Sequence, residues 1–217
     1  MENIEELKES GFSIQQINQL LKINERGYDI SYLSPELLDQ NVLRTFLTHI
    51  NNYTNNQKQL VKYGIEKKYN ILYYNNSNLN EKQMEMIIMG IEDGLDVSYY
   101  ADSKYNLAQM REIHNLLQYN LINRTKIDVK KIAKVRYNYN QMHEITLGLI
   151  ENIDTSIYEN PDYSCEQMQL IRLGLENKLD VKQYANPNNS IEDMNKIMYE
   201  LKGKQSLLIK FFKKKRL

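Results

Sequence analysis

The sequence predicts an all-α fold: a short-helix α-solenoid of about six to seven 26-residue helix–turn–short-helix repeats, with an atypical N-terminal helical cap and a C-terminal cap helix. Two observations predict it. Gln57, Gln83 and Gln109 stand 26 residues apart, Gln141 and Gln167 repeat the interval, and Met168 to Met194 carries it forward. Around each of these anchors the same residue types recur at the same offsets, and the offsets are those of a helix and its ends.

The start of each helix is the clearest element. Three residues before the anchor stand Ser13 (anchor Gln16), Thr54, Asn80, Asn106, Asn138, Ser164 and Ser190, all good N-cap residues. An N-cap with Gln or Glu three residues later is a capping box, in which each side chain serves the other residue's backbone N–H. The anchor glutamines are therefore read as structural. Ser190 with Asp193 keeps the same logic.

One residue before the cap stand Phe12, Tyr53, Leu79, Tyr105, Tyr137 and Tyr163. One after the anchor stand Ile17, Lys58, Met84, Met110, Met142, Met168 and Met194. These are the two halves of a hydrophobic staple, broken only at Lys58. The helix continues through Leu20, Val61, Ile87, Ile113, Ile145 and Ile171, then Ile65, Ile91, Leu117, Leu149 and Leu175, forming one apolar stripe. Gly64, Gly90, Gly148 and Gly174 lie inside it, where Gly costs roughly 1 kcal/mol against Ala. Their recurrence predicts close approach of a neighbouring element.

Gly27, Lys68, Gly94, Asn120, Asn152 and Lys178 occupy the closing position, where left-handed backbone ends a helix. Asp29, Asn70, Asp96, Asp154 and Asp180 then read as caps of a second, shorter helix ending at Tyr74, Tyr100, Tyr158 and Tyr184. Two places depart from the period. Gln16 to Gln57 is 15 residues too long, and Ser34-Pro35 opens a predicted helix from about 35 to 50. Gln109 to Gln141 is 6 too long, with the surplus at Leu121–Lys126. It reads first as a tolerated surface loop and second as part of a binding face.

The run Tyr163–Asn186 (YSCEQMQLIRLGLENKLDVKQYAN), matched by Leu79–Asp102 and loosely over 53–200, resembles short helical repeats of the type F-S-x-x-Q-M-x-x-I-x-x-G-L-x-x-G-L-D-V-S-x-Y-A. Such repeats belong to uncharacterised proteins of low-GC Gram-positive bacteria, their phages and mobile elements. The resemblance implies an architecture and a genomic setting, with no single biochemical activity attached. Residues 34–51 and those after Leu201 depart from it.

The whole chain, 1–217, reads as one elongated domain: an N-terminal cap over 1–52, repeats over 53–201 and a basic C-terminal helix or tail over 202–217. There is no run of about 18 apolar residues, so no membrane span is expected. The acidic start MENIEELKES is unlike a secretory leader, and the single Cys fits a reducing, cytoplasmic compartment. The formal charge of zero hides an asymmetry. Seven of the 28 basic residues follow Leu201 and no acid does, leaving 21 basic against 28 acidic before it, or −7. Such a body is a poor general binder of phosphates.

Candidate chemistry is sparse. His49, His114 and His143 are unpaired with Cys or a second His at ligand spacing, so no metal site is expected. Cys165 follows a helix cap, where a thiol can be activated, but its column accepts any residue and an incidental Cys is the better reading. No hydrolase elbow, phosphate loop or zinc-protease motif is present, and no cofactor is expected. Most of the 17 tyrosines fall in core columns; Tyr69, Tyr73, Tyr99 and Tyr119 are the candidates for exposed contacts.

Two columns vary in chemistry between copies and read as an outer strip: Gln59, Glu85, Arg111, His143 and Gln169, with Lys62, Ile88, His114, Thr146 and Arg172. The expectation is a non-enzymatic protein that holds another protein along that strip. In the setting the resemblance implies, that partner is a host protein such as a defence nuclease. The alternative is nucleic-acid binding through Lys126, Lys130, Lys131, Lys134 and Arg136 together with the tail residues Lys210, Lys213, Lys214, Lys215 and Arg216. For the tail itself the expected role is a cap helix whose Leu207, Leu208, Phe211 and Phe212 cover the last repeat.

Overall fold

The computed structural model describes residues 4–25, 49 and 52–214, with side chains through 207. Among them every regular element is helical: α1 (Ile4–Glu9), α2 (Ile14–Glu25), α3 (Asn55–Glu66), α4 (Glu81–Glu92), α5 (Leu107–Asn123), α6 (Tyr139–Ile150), α7 (Cys165–Glu176) and α8 (Ile191–Lys214). The predicted 35–50 helix and the closing positions Gly27 and Asp29 lie outside the described residues. The chain divides into two compact units, Met1–His114 and Asn115–Leu217, with the division inside α5.

The predicted caps form. At Thr54, Asn80, Asn138 and Ser164 the cap side chain accepts from the backbone N–H of the anchor glutamine. The glutamine side chain accepts from the cap's own N–H. Ser13–Gln16 and Asn106–Gln109 make the same reciprocal pair. Each such cap is worth about 1 kcal/mol. Both halves of the staples are buried beneath them: Met84, Met110, Met142, Met168 and Met194 on one side, Leu79, Tyr105, Tyr137 and Tyr163 on the other.

The element after each helix is shorter than expected. It is one 3-10 turn of three residues, at Ile71–Tyr73, Val97–Tyr99, Val129–Lys131, Thr155–Ile157 and Val181–Gln183. Asn70, Asp96, Asp128 and Asp154 cap it through the N–H two residues on. Asp180 does not; its carboxylate accepts from the Gln183 side chain at 3.1 Å instead.

The helix exits use left-handed backbone at Lys68, Gly94, Asn152 and Lys178, with φ between 56° and 71°. There the next N–H returns to the buried glycine's carbonyl, as in Leu95 N to Gly90 O at 2.8 Å and Leu179 N to Gly174 O at 2.9 Å. That is the double closure of a Schellman end.

The glycines answer the expectation of close approach. A Cβ on Gly64, Gly90, Gly148 or Gly174 would overlap the hydroxyl of Tyr74, Tyr100, Tyr158 or Tyr184. The tyrosine just after each of these four 3-10 turns therefore lies across the backbone of its own helix, fully buried. The hydroxyls of Tyr100, Tyr158 and Tyr184 donate to the carbonyls of Met86, Glu144 and Leu170 at 3.4, 3.3 and 3.1 Å. Burial raises the pKa of all four, that of Tyr184 to about 12, so the hydroxyls stay protonated donors.

Five residues of the six-residue surplus lengthen the helix and one lengthens the connection after it. α5 runs 17 residues where α3, α4, α6 and α7 run 12. Asn120 is therefore interior to the helix, and the left-handed exit falls on Arg124 (φ 54°). α8 continues unbroken to Lys214 in place of a separate cap helix, and Leu207 is 67% exposed. No described helix is long and apolar enough to cross a membrane.

Candidate functional site

The two columns of the outer strip separate in the structure. Gln59, Glu85, Arg111, His143 and Gln169 are all exposed. Ile88, His114, Thr146 and Arg172 are buried, and Lys62 is half-buried. An offset of three on a helix turns the side chain by about 300°, enough to move it from the solvent face into the seam with the next helix. The second column is thus mostly buried, with His114 reaching Asp93 at the end of α4 and Arg172 reaching Glu144 on α6. Any outward strip has to be built on the first.

What fills the seam differs by unit. In the first, His114 has Nδ1 3.3 Å from the Tyr100 hydroxyl and Nε2 3.4 Å from an Asp93 carboxylate oxygen. Burial pulls its pKa below the ordinary value, against the opposing pull of Asp93. In the second, Thr146 returns its hydroxyl to the Met142 carbonyl at 2.9 Å. Arg172 bridges helices, with Nε 2.8 Å from Glu144 on α6 and Nη1 on Glu176 of its own helix. Burial works against the Arg172 charge, but those two carboxylates hold its pKa above the ordinary value. A paired buried ion fixes register more than it adds stability.

Around the exposed column lie shallow recesses. In the first unit Asn56, Gln59, Leu60, Lys62, Tyr63, Glu66 and Glu85 line a groove of about 600 Å³ between α3 and α4. In the second, Asn140, His143, Glu144, Cys165, Glu166 and Gln169 line one of about 230 Å³ between α6 and α7. His143 stacks on Tyr139 there, with ring centres 6.0 Å apart. Burial, then the neighbouring Glu166, pushes the Cys165 thiol pKa up, which favours the protonated thiol. No three His, Cys, Asp or Glu side chains among the described residues gather as metal ligands would.

The basic stretch is partly consumed by structure. Lys131 Nζ sits 2.8 Å from Glu159 and 3.1 Å from the Thr155 hydroxyl, and Lys134 lies 4.0 Å from the same carboxylate. Arg136 lies over the Tyr137 ring. Lys126, Lys130 and Arg136 remain exposed. The tail side chains from Lys210 to Arg216 lie outside those described. Tyr69, Tyr73, Tyr99 and Tyr119 are half-buried, whereas among the described tyrosines Tyr63, Tyr139 and Tyr199 are exposed.

One role of the anchor glutamines goes beyond the cap. Their Nε2 donates to a backbone carbonyl 22 residues later: Gln57 to Leu79 and Gln83 to Tyr105 at 2.6 Å, Gln141 to Tyr163 and Gln167 to Asn189 at 2.7 Å. Each thus ties one helix start to the chain entering the next. The signal was present: a capping box accepts Glu as readily as Gln, yet six successive anchors are Gln, which alone brings a donor.

Comparison with family models, with curated proteins and with solved structures gives no match to this chain.

Proposed function

We propose that this chain is a non-enzymatic helical-repeat protein of 26-residue modules that binds another protein through the exposed residues Gln59, Glu85 and Arg111 of its first unit and His143 and Gln169 of its second. One observation carries the reading. Every column that recurs in type is spent on closing or joining modules, whereas the column holding these five residues is exposed in all five helices and changes in chemistry from copy to copy, as does its neighbour Asn56, Lys82, Ala108, Asn140 and Glu166. Repeat proteins place variable side chains on a regular frame in this way. The cytoplasm of a low-GC Gram-positive cell is the expected place of action, and a host defence protein such as a nuclease is the specific partner to try first, both by resemblance.

The test replaces all five column residues with Ala and compares the variant with the parent as bait in a lysate of such a cell. The expected result is a protein retained by the parent and lost by the variant, with unchanged thermal stability. Equal retention by both, or none by the parent, contradicts it. A second reading, nucleic-acid binding, draws on the exposed Lys126, Lys130 and Arg136. It requires low-salt affinity for DNA or RNA that these three changed to Glu remove.

A further inference from the structure

The surplus at Leu121–Lys126 is built as a projection. Asn120 closes its base: its side chain accepts from Thr125 Oγ1 at 2.7 Å and from the Ile127 N–H at 3.0 Å. It also donates to the Ile127 carbonyl at 2.9 Å. The Thr125 N–H returns to the Asn120 carbonyl at 3.0 Å, and Arg124 takes the left-handed turn. A merely tolerated loop would be expected to carry polar residues at its tip. Here Leu121 is 57% and Ile122 71% exposed, flanked by exposed Arg124 and Lys126, with no acid in the segment.

The complementary surface stands on the first unit. The α3–α4 groove holds the half-buried Leu60 and the exposed Tyr63 between the exposed carboxylates of Glu66 and Glu85. Its one lining cation, Lys62, is already 3.9 Å from Glu66. The outer faces of the same helices carry the exposed Met89 and Glu92, the latter accepting from the Tyr63 hydroxyl at 2.7 Å. Charge divides the same way over the chain. Residues 1–114 hold 11 basic and 16 acidic side chains, a net −5, and residues 115–217 hold 17 and 12, a net +5. A neutral chain with opposite halves attracts its own copies at low salt.

We propose that the Leu121–Lys126 projection of one copy docks in the Tyr63–Glu66–Glu85 groove of a second copy, so that the chain self-associates through apolar contact inside a ring of opposite charge. Because Gln59 and Glu85 belong to this groove, a second copy and a foreign partner compete for it. The contact is readable from the purified chain alone, so its failure leaves the foreign-partner reading standing.

Sedimentation velocity of the full chain tests it. At about 50 mM salt the mass rises above the 25.8 kDa of one chain as concentration increases, and at about 500 mM it falls back. The pair Leu121→Ser and Ile122→Ser weakens association at least about tenfold while helicity is kept. R124E with K126E in one chain, and E66K with E85K in another, each remain monomeric, and mixing the two restores the complex. A monomer at every concentration in low salt overturns the proposal. So does association that survives both sets of variants, or charge-reversed chains that fail to associate on mixing.

Discussion

Four helix–turn modules close on a glycine facing a tyrosine, and one closes on Leu116 and Ile132. In α3, α4, α6 and α7 the helix gives up its side chain and the tyrosine of the following 3-10 turn fills the space. In α5 the helix supplies Leu116 and the turn answers with the shorter Ile132, both fully buried. Between helix and turn a glycine thus goes with the long tyrosine, and a leucine with the shorter isoleucine. The exceptional module is also the one whose exit is prolonged and held by Asn120.

Breaking this complementarity should give the largest effects. Gly174→Leu forces a side chain into the Tyr184 hydroxyl and to 2.7 Å from Val181 Cγ1, and should cost about 3 kcal/mol. Leu116→Gly empties the opposite case and should cost about 4 kcal/mol, from a cavity plus the helix penalty of Gly. Urea titrations measure both.

Next in size is the glutamine tie. Gln167→Ala loses the cap and the bonds to the Pro187 and Asn189 carbonyls and should cost about 2 kcal/mol. Gln167→Glu keeps the cap's acceptor and should cost about half of that, an ordering that thermal melts can check.

The tyrosine hydroxyls sharpen the comparison further. Tyr184→Phe removes a buried donor to Leu170 and should cost about 1 kcal/mol. Tyr74 has a buried hydroxyl with no hydrogen-bond partner, so Tyr74→Phe should be neutral or slightly stabilising.

The smallest effect is that of pH on the first unit. His114 has a folded pKa below its ordinary 6.5, so the folded state favours the neutral ring. Its stabilisation is complete above that value and is lost as pH falls through the folded pKa. His114→Gln should flatten this part of a stability–pH profile below about pH 7.

The helices and their ends were legible in the sequence because caps, staples and exits are local: a handful of neighbouring residues decides each. Thr54–Gln57 or Ser164–Gln167 needs no knowledge of the rest of the chain. The second outer column was misread because a helical wheel gives angles but not which face meets the next helix, and Thr146 and Arg172 look like surface residues until α6 and α7 are packed. Asn120 was misplaced because an inserted segment can lengthen the helix or the loop, and spacing alone does not choose. The glycine column pointed to a close neighbour but not to the tyrosine ten residues on, whose reach across the backbone is a three-dimensional fact.

The interlock is tested most directly by a double-mutant cycle that writes the α5 solution into α7: Gly174→Leu, Tyr184→Ile and both together, each measured by urea unfolding. A shared volume predicts that Tyr184→Ile rescues Gly174→Leu, with a coupling of about 2 kcal/mol or more between the two sites. Losses that add within about 0.5 kcal/mol would contradict it, and with it the reading that the recurring glycines and tyrosines exist to close each module.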